Sequence, residues 1–97
     1  MSDDKKTYDK RAQVDIPLEF PIEVDGEKIT KLTMRRPKVK DTQWANGLSG
    51  DDFDKIVQVV ARLCNVSPEH ISELDDVDME AIDRQYASFR GVTANGR

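Results

Sequence analysis

The sequence predicts an α+β fold in which an N-terminal β-hairpin packs on three or four short helices. Three observations carry that expectation. Apolar and polar residues alternate from Asp15 to Val24, an Asp25-Gly26 pair follows directly, and from Phe53 onward apolar residues recur at three- and four-residue spacing. Ninety-seven residues suit one small domain, which buries only about 60–65% of the surface its unfolded chain exposes. We expect a flexible tail over 1–14, one domain over 15–91 and a frayed end over 92–97.

The first strand places Ile16, Leu18, Phe20, Ile22 and Val24 on one face. Pro17 and Pro21 fall on the other. A proline has no N–H to give to a ladder, so this strand belongs at an edge. The second strand contributes Leu32 and Met34. Because directly opposed residues share a face, parity discriminates the turns. A three-residue loop at Val24-Asp25-Gly26 sets Leu18 against Leu32, whereas a two-residue loop sets Glu19 there. The three-residue loop is therefore expected.

Pro37 turns the chain out of the strand and into a short helix, Val39 to Asn46, ending at Gly47. Ser49 is placed to cap the next helix, whose first turn holds Asp51, Asp52 and Asp54 at the positive end of the helix dipole. That helix carries the best amphipathic stripe in the chain: Phe53, Ile56, Val57, Val60, Leu63 and Cys64. Ser67-Pro68-Glu69 opens a short helix that buries Ile71 and Leu74. Asp75-Asp76 starts the last, with Val77, Met79, Ile82, Tyr86 and Phe89 inward and Gly91 as its stop. The expected core is Phe20, Leu32, Phe53, Ile56, Val60, Leu63, Ile82 and Phe89.

Composition argues against several classes of function. The hydrophobic fraction is 37% and the charged fraction 35%, which describes a heavily solvated fold short of apolar material and open to help from a partner or a second copy. No run approaches the roughly 20 apolar residues that span a bilayer, and Met1 to Arg11 lacks the apolar core of a secretory signal, so a cytoplasmic protein is expected. Cys64 is the only cysteine, and its expected job is to fill space on a helix. Its only conceivable base, His70, sits in a helix start and has no companion at metal-ligand spacing. Asp76, Asp78 and Glu80 alternate as in a calcium loop, but the sixth and twelfth places counted from Asp76 hold Ala81 and Ala87. No catalytic, cofactor or metal residues are expected, and the acids read as helix-start residues.

The stretch LTMRRPKVKD, residues 32–41, sets Arg35, Arg36, Lys38 and Lys40 close together. The chain around it is acidic, with net charge −4, and it lacks both interleaved aromatics and a helix face of several bases. Solvated cations, partly paired with acids of residues 69–83, are the first reading. Docking to an acidic partner is the second, and a small DNA-binding regulator the third.

Taken in order, PIEVDGEKITKLTMRRPKVKD, a short helix, and DDFDKIVQVVARLCNVSPEHISELDDVDMEAI resemble the tail assembly chaperones of Mu-like and related contractile-tailed bacteriophages and prophages. The most specific parts are the DG turn followed by LTMRRPKVKD, and ARLCNVSPEHISELDDVDM. The similarity covers roughly residues 15–85. It implies a non-enzymatic protein of the bacterial host cytoplasm that binds the tape measure protein and keeps it soluble until the tail tube assembles. It further implies a frameshifted longer form of the chain and other tail proteins as partners, with neither nucleic acid nor membrane among them. Trp44-Ala45-Asn46-Gly47 departs from any fixed family pattern. For Trp44 two expectations therefore stand side by side: an anchor for a partner helix, or a cap on the core. Arg35, Arg36, Lys38, Lys40 and Trp44 are the expected partner-binding residues.

Overall fold

The computed structural model describes residues 9–91. Two strands, β1 (Gln13–Val24) and β2 (Glu27–Arg35), are followed by helices α1 (Val39–Asn46), α2 (Asp52–Cys64), α3 (Pro68–Ser72) and α4 (Asp76–Phe89). The α+β fold with an N-terminal hairpin and four helices is as the sequence predicts. The expected fraying of 92–97 and the first eight residues of the expected tail lie outside the described residues. Residues 9–14, assigned to that tail, include the start of β1, and the Asp9 amide donates to the Ser88 carbonyl at 3.0 Å.

The hairpin turns differently from the expected three-residue loop. Asp25 (φ 54°) and Gly26 (φ 79°) both occupy the left-handed region, which matches the right-handed twist of the flanking strands and closes a two-residue turn. Val24 lies opposite Glu27 and Ile22 opposite Ile29. Beyond that the register slips: Pro17 faces Lys31, Ile16 faces Leu32 and Val14 faces Met34. Residues 18–21 of β1 thus stand against Thr30 alone, a bulge that restores inward parity for both strands. Parity was the right argument, applied to the wrong irregularity.

The bulge frees backbone amides that need acceptors. Asp78, on the first turns of α4 and 2% exposed, supplies both of its carboxylate oxygens. The Glu19 amide donates to one at 2.8 Å and the Phe20 amide to the other at 3.0 Å. Pro17 and Pro21 flank these two donors and have no amide of their own to offer.

The main core joins Val14, Ile16, Leu32 and Met34 of the hairpin to Val59, Val60, Leu63 and Cys64 of α2, Ile71 of α3, and Met79, Ile82 and Phe89 of α4. Leu18, Ile22 and Val24 form a smaller cluster farther along the hairpin. Of the expected core, Leu32, Val60, Leu63, Ile82 and Phe89 are buried, and Ile56 packs against the cluster half-buried. Phe20 and Phe53 are corrections, at 53% and 61% exposed. The bulge breaks the alternation that would have turned Phe20 inward, and Phe53 lies in the first turn of α2, outside the C-terminal half that carries the buried residues of that helix. Val77, expected inward, is also exposed. The cap of α2 is Asp51, whose side chain accepts from the Asp54 amide at 2.9 Å, in place of the expected Ser49.

Replacing Asp78 with alanine strands two amides at the bulge. Two hydrogen bonds to a charged acceptor are worth about 3 kcal/mol together, so urea unfolding of Asp78→Ala should show a loss of that order. Asp76→Ala, two residues away and exposed, should stay within about 0.5 kcal/mol of the parent.

Candidate partner-binding surface

The basic stretch sits where β2 hands over to α1, and its cations divide into two kinds. Asp41, 2% exposed, accepts from Arg35 through two bonds of 2.8 Å, from Arg62 Nε at 2.8 Å and from the Lys38 amide at 2.8 Å. One carboxylate thereby ties the end of β2, the start of α1 and the last turn of α2 together. Arg35 holds the Asp41 carboxyl well below the usual carboxylate range, with Arg62 and the Lys38 amide adding to the effect and burial opposing it. The sequence reading sought partners for these cations among residues 69–83. The partner is Asp41, three residues into α1, because a capping position puts its carboxylate back over the junction.

Arg36 works on the other side of the junction. Its guanidinium donates to the carbonyls of Asp9 and Phe89, the latter at 3.0 Å, and lies 5.2 Å from the centre of the Phe89 ring. A cation on the last carbonyl of α4 complements the negative end of that helix. Asp9 also accepts from Gln85 at 3.1 Å, so the segment before β1 is held against α4.

Lys38 and Lys40 are exposed, as is Val39 between them at 75%. Trp44 is half-buried against the main core, and Arg62 lies over its ring at 4.5 Å. The fold therefore gathers Arg35 and Trp44 around the Asp41–Arg62 contact, turns Arg36 toward α4 and leaves the two lysines in solvent.

A second surface was not anticipated. Between α2 and α4 runs a groove of 390 Å³ walled by Phe53, Ile56, Val77 and Met79, with Asp76, Glu80 and Asp83 along one side. A smaller depression of 210 Å³ continues it toward α3 and shares Phe53, Asp76 and Met79. The large apolar side chains exposed here, Phe53 and Val77, are the ones the helical periodicity assigned to the core. Their signal was position: each belongs to the first turn of its helix, where a stripe can run beyond the packed region.

The chemistry of the remaining groups is quiet. Burial pushes the Cys64 thiol up to about 12, so thiolate is scarce at neutral pH. His70 Nδ1 pairs with the Ser67 hydroxyl at 2.7 Å. Among the described residues no cluster of His, Cys, Asp or Glu could hold a metal ion, and no helix is long and apolar enough to cross a membrane.

With a hairpin, four helices and an open apolar groove in view, comparison with known families decides the class. The family model described as phage tail assembly chaperone proteins, E, or 41 or 14, matches residues 15–91. The chain belongs to this family. The match covers β2 and all four helices, and β1 from Asp15 onward. No curated protein and no solved structure matches the chain. A tail assembly chaperone works by binding other tail proteins, which suits a molecule whose described surface offers apolar side chains in a groove.

The Asp41 hub makes acid stability testable. A folded-state carboxyl held below its unfolded value, about 3.9, contributes stability that is complete above that value and drains away as pH falls toward the folded one. Asp9, lowered chiefly by Arg11, and Asp15, lowered chiefly by Thr33 and then Lys31, act with the same sign. Asp41→Asn should lose about 3 kcal/mol at pH 7, the low end for breaking a buried ion pair because both arginines stay partly wet. The loss should shrink toward about pH 3, measured by urea unfolding at each pH.

Proposed function

We propose that this tail assembly chaperone binds the tape measure protein and keeps it soluble during tail morphogenesis in the cytoplasm of the bacterial host, without catalytic activity. The observation that carries this reading is the pairing of the family match over residues 15–91 with exposed large apolar side chains, Phe20, Phe53 and Val77, on a small acidic protein. Exposed apolar surface of this kind on a soluble chain marks a binding site. Net charge −4 gives a complex solubility that a long, aggregation-prone helical chain lacks. Lys38, Lys40 and the half-exposed face of Trp44 form a second proposed contact, one suited to acidic segments of a tail protein. A frameshifted longer form, other tail proteins and a second copy remain proposed partners of the same kind.

The rival reading, a small DNA-binding regulator, draws on the basic stretch alone. It is weakened because Arg35 and Arg36 are engaged by Asp41 and by backbone carbonyls of their own chain.

Co-expression with the tape measure protein of the same tail separates the two. The chaperone reading expects that protein in the soluble fraction and co-purified with this chain. Its persistence in the pellet, unbound, while the chain alone retards duplex DNA at ~150 mM salt, would reverse the choice.

A further inference from the structure

We propose that the groove between α2 and α4 is the docking site for a cationic amphipathic helix of the partner, a deepening that rests on the tail-chaperone reading above. Three features of the groove specify its occupant. Its walls are two helices with no free strand edge between them, and a groove between helices with apolar side chains from both takes the apolar face of a third helix, with anchors at i, i+3, i+4 and i+7. Phe53 and Val77, 61% and 52% exposed, are open to solvent in it, while Ile56 is half-buried and Met79 buried. An aromatic ring beside an aliphatic floor is the arrangement from which interface anchors draw most of their energy.

The charged side chains that line the groove are all acidic. Asp76, Glu80 and Asp83 follow one another at four- and three-residue spacing down one stripe of α4, and all three line the channel. Asp52 and Asp54, both exposed, neighbour Phe53 in the sequence of α2. No cation lines the channel among the described residues. Arg84 reaches Glu80 only as an exposed pair at 3.8 Å, a contact weak enough to yield to an incoming cation. A helix with lysine or arginine flanking its apolar stripe meets this rim favourably, whereas one flanked by acids is repelled. The same rim discourages a second copy of this acidic chain from entering by its own α2–α4 face.

The test uses the full chain and two synthetic amphipathic peptides of about 18 residues, five helical turns. Both carry leucine at i, i+3, i+4 and i+7; one has lysine flanks and the other glutamate flanks. Fluorescence anisotropy should show the lysine peptide binding at least about tenfold more tightly, a preference that shrinks as salt rises to ~0.5 M. The double variant Phe53→Ser/Val77→Ser should lose that binding while melting like the parent, since both side chains are already more than half exposed. Glu80→Lys/Asp83→Lys should lose the preference for lysine flanks. Equal binding of the two peptides, or undiminished binding by either variant, overturns the proposal. So does concentration-dependent self-association abolished by the Phe53/Val77 variant, which would assign the groove to a second copy. Co-purification of the tape measure protein keeps the outcomes apart. If the Phe53/Val77 variant still carries it, the groove fails and the chaperone role stands; if the parent never carries it yet binds the lysine peptide, the reverse holds.

Discussion

The rest of the structure depends on how a two-stranded hairpin is kept in place. Such a hairpin is marginal in water on its own, and this one carries a bulge that takes residues 18–21 out of regular pairing. The Asp78 carboxylate resolves both difficulties at once. By accepting from the Glu19 and Phe20 amides it satisfies donors that β2 cannot reach, and it fixes β1 to the first turns of α4. A buried acid with both oxygens occupied by backbone amides has only one comfortable position, so the register of the hairpin and the placement of α4 are set together. With α4 so oriented, Ile82 and Phe89 turn inward, and Asp76, Glu80 and Asp83 turn toward α2 and solvent.

Asp41 plays the corresponding part at the other end of β2. The junction carries four cations in six positions, an arrangement that would repel itself if left solvated on a flexible turn. A single carboxylate on the first turn of α1 gathers Arg35 and Arg62, and Arg36 takes the opposite direction onto the Phe89 carbonyl at the end of α4. The basic stretch is therefore chiefly a knot in the fold, with Lys38 and Lys40 left over at its surface. Each of the two buried acids joins elements distant in sequence, and together they hold a small core that hydrophobic burial alone supports weakly at this size.

Much of this was legible in the sequence, and the parts that were not share a cause. Period-two alternation located the strands and helical spacing α2 and α4, while Pro37 with Gly47 and Ser67-Pro68-Glu69 located α1 and α3; Gly47, Pro68 and Asp75 marked helix boundaries correctly. Leu32, Val60, Leu63, Ile82 and Phe89 were recognisable as core because each lies on the apolar stripe of its element, at a level where neighbouring elements cover it. Phe20 and Phe53 were misplaced because periodicity says which face a residue shares and not how far along the element packing extends. The roles of Asp41 and Asp78 were hidden for a related reason. Both read as ordinary acids in the first turn of a helix, where the dipole alone accounts for them, and only the tertiary fold shows what their second function is. The groove went unseen because its walls lie on α2 and α4, more than 20 residues apart, and each half looks like unremarkable amphipathic helix.

The central claim is that the principal hold on the partner is the α2–α4 face, with the basic junction a secondary contact. Amide hydrogen exchange, compared between the free chain and its purified complex with the tape measure protein, tests it most directly, because it reports the contacted backbone without altering a residue. The account predicts new protection over residues 53–57 and 76–83, with the bulge amides of Glu19 and Phe20 slow to exchange in both states. Protection confined to residues 38–46, around Lys38, Lys40 and Trp44, with the α2–α4 face exchanging as in the free chain, would contradict it.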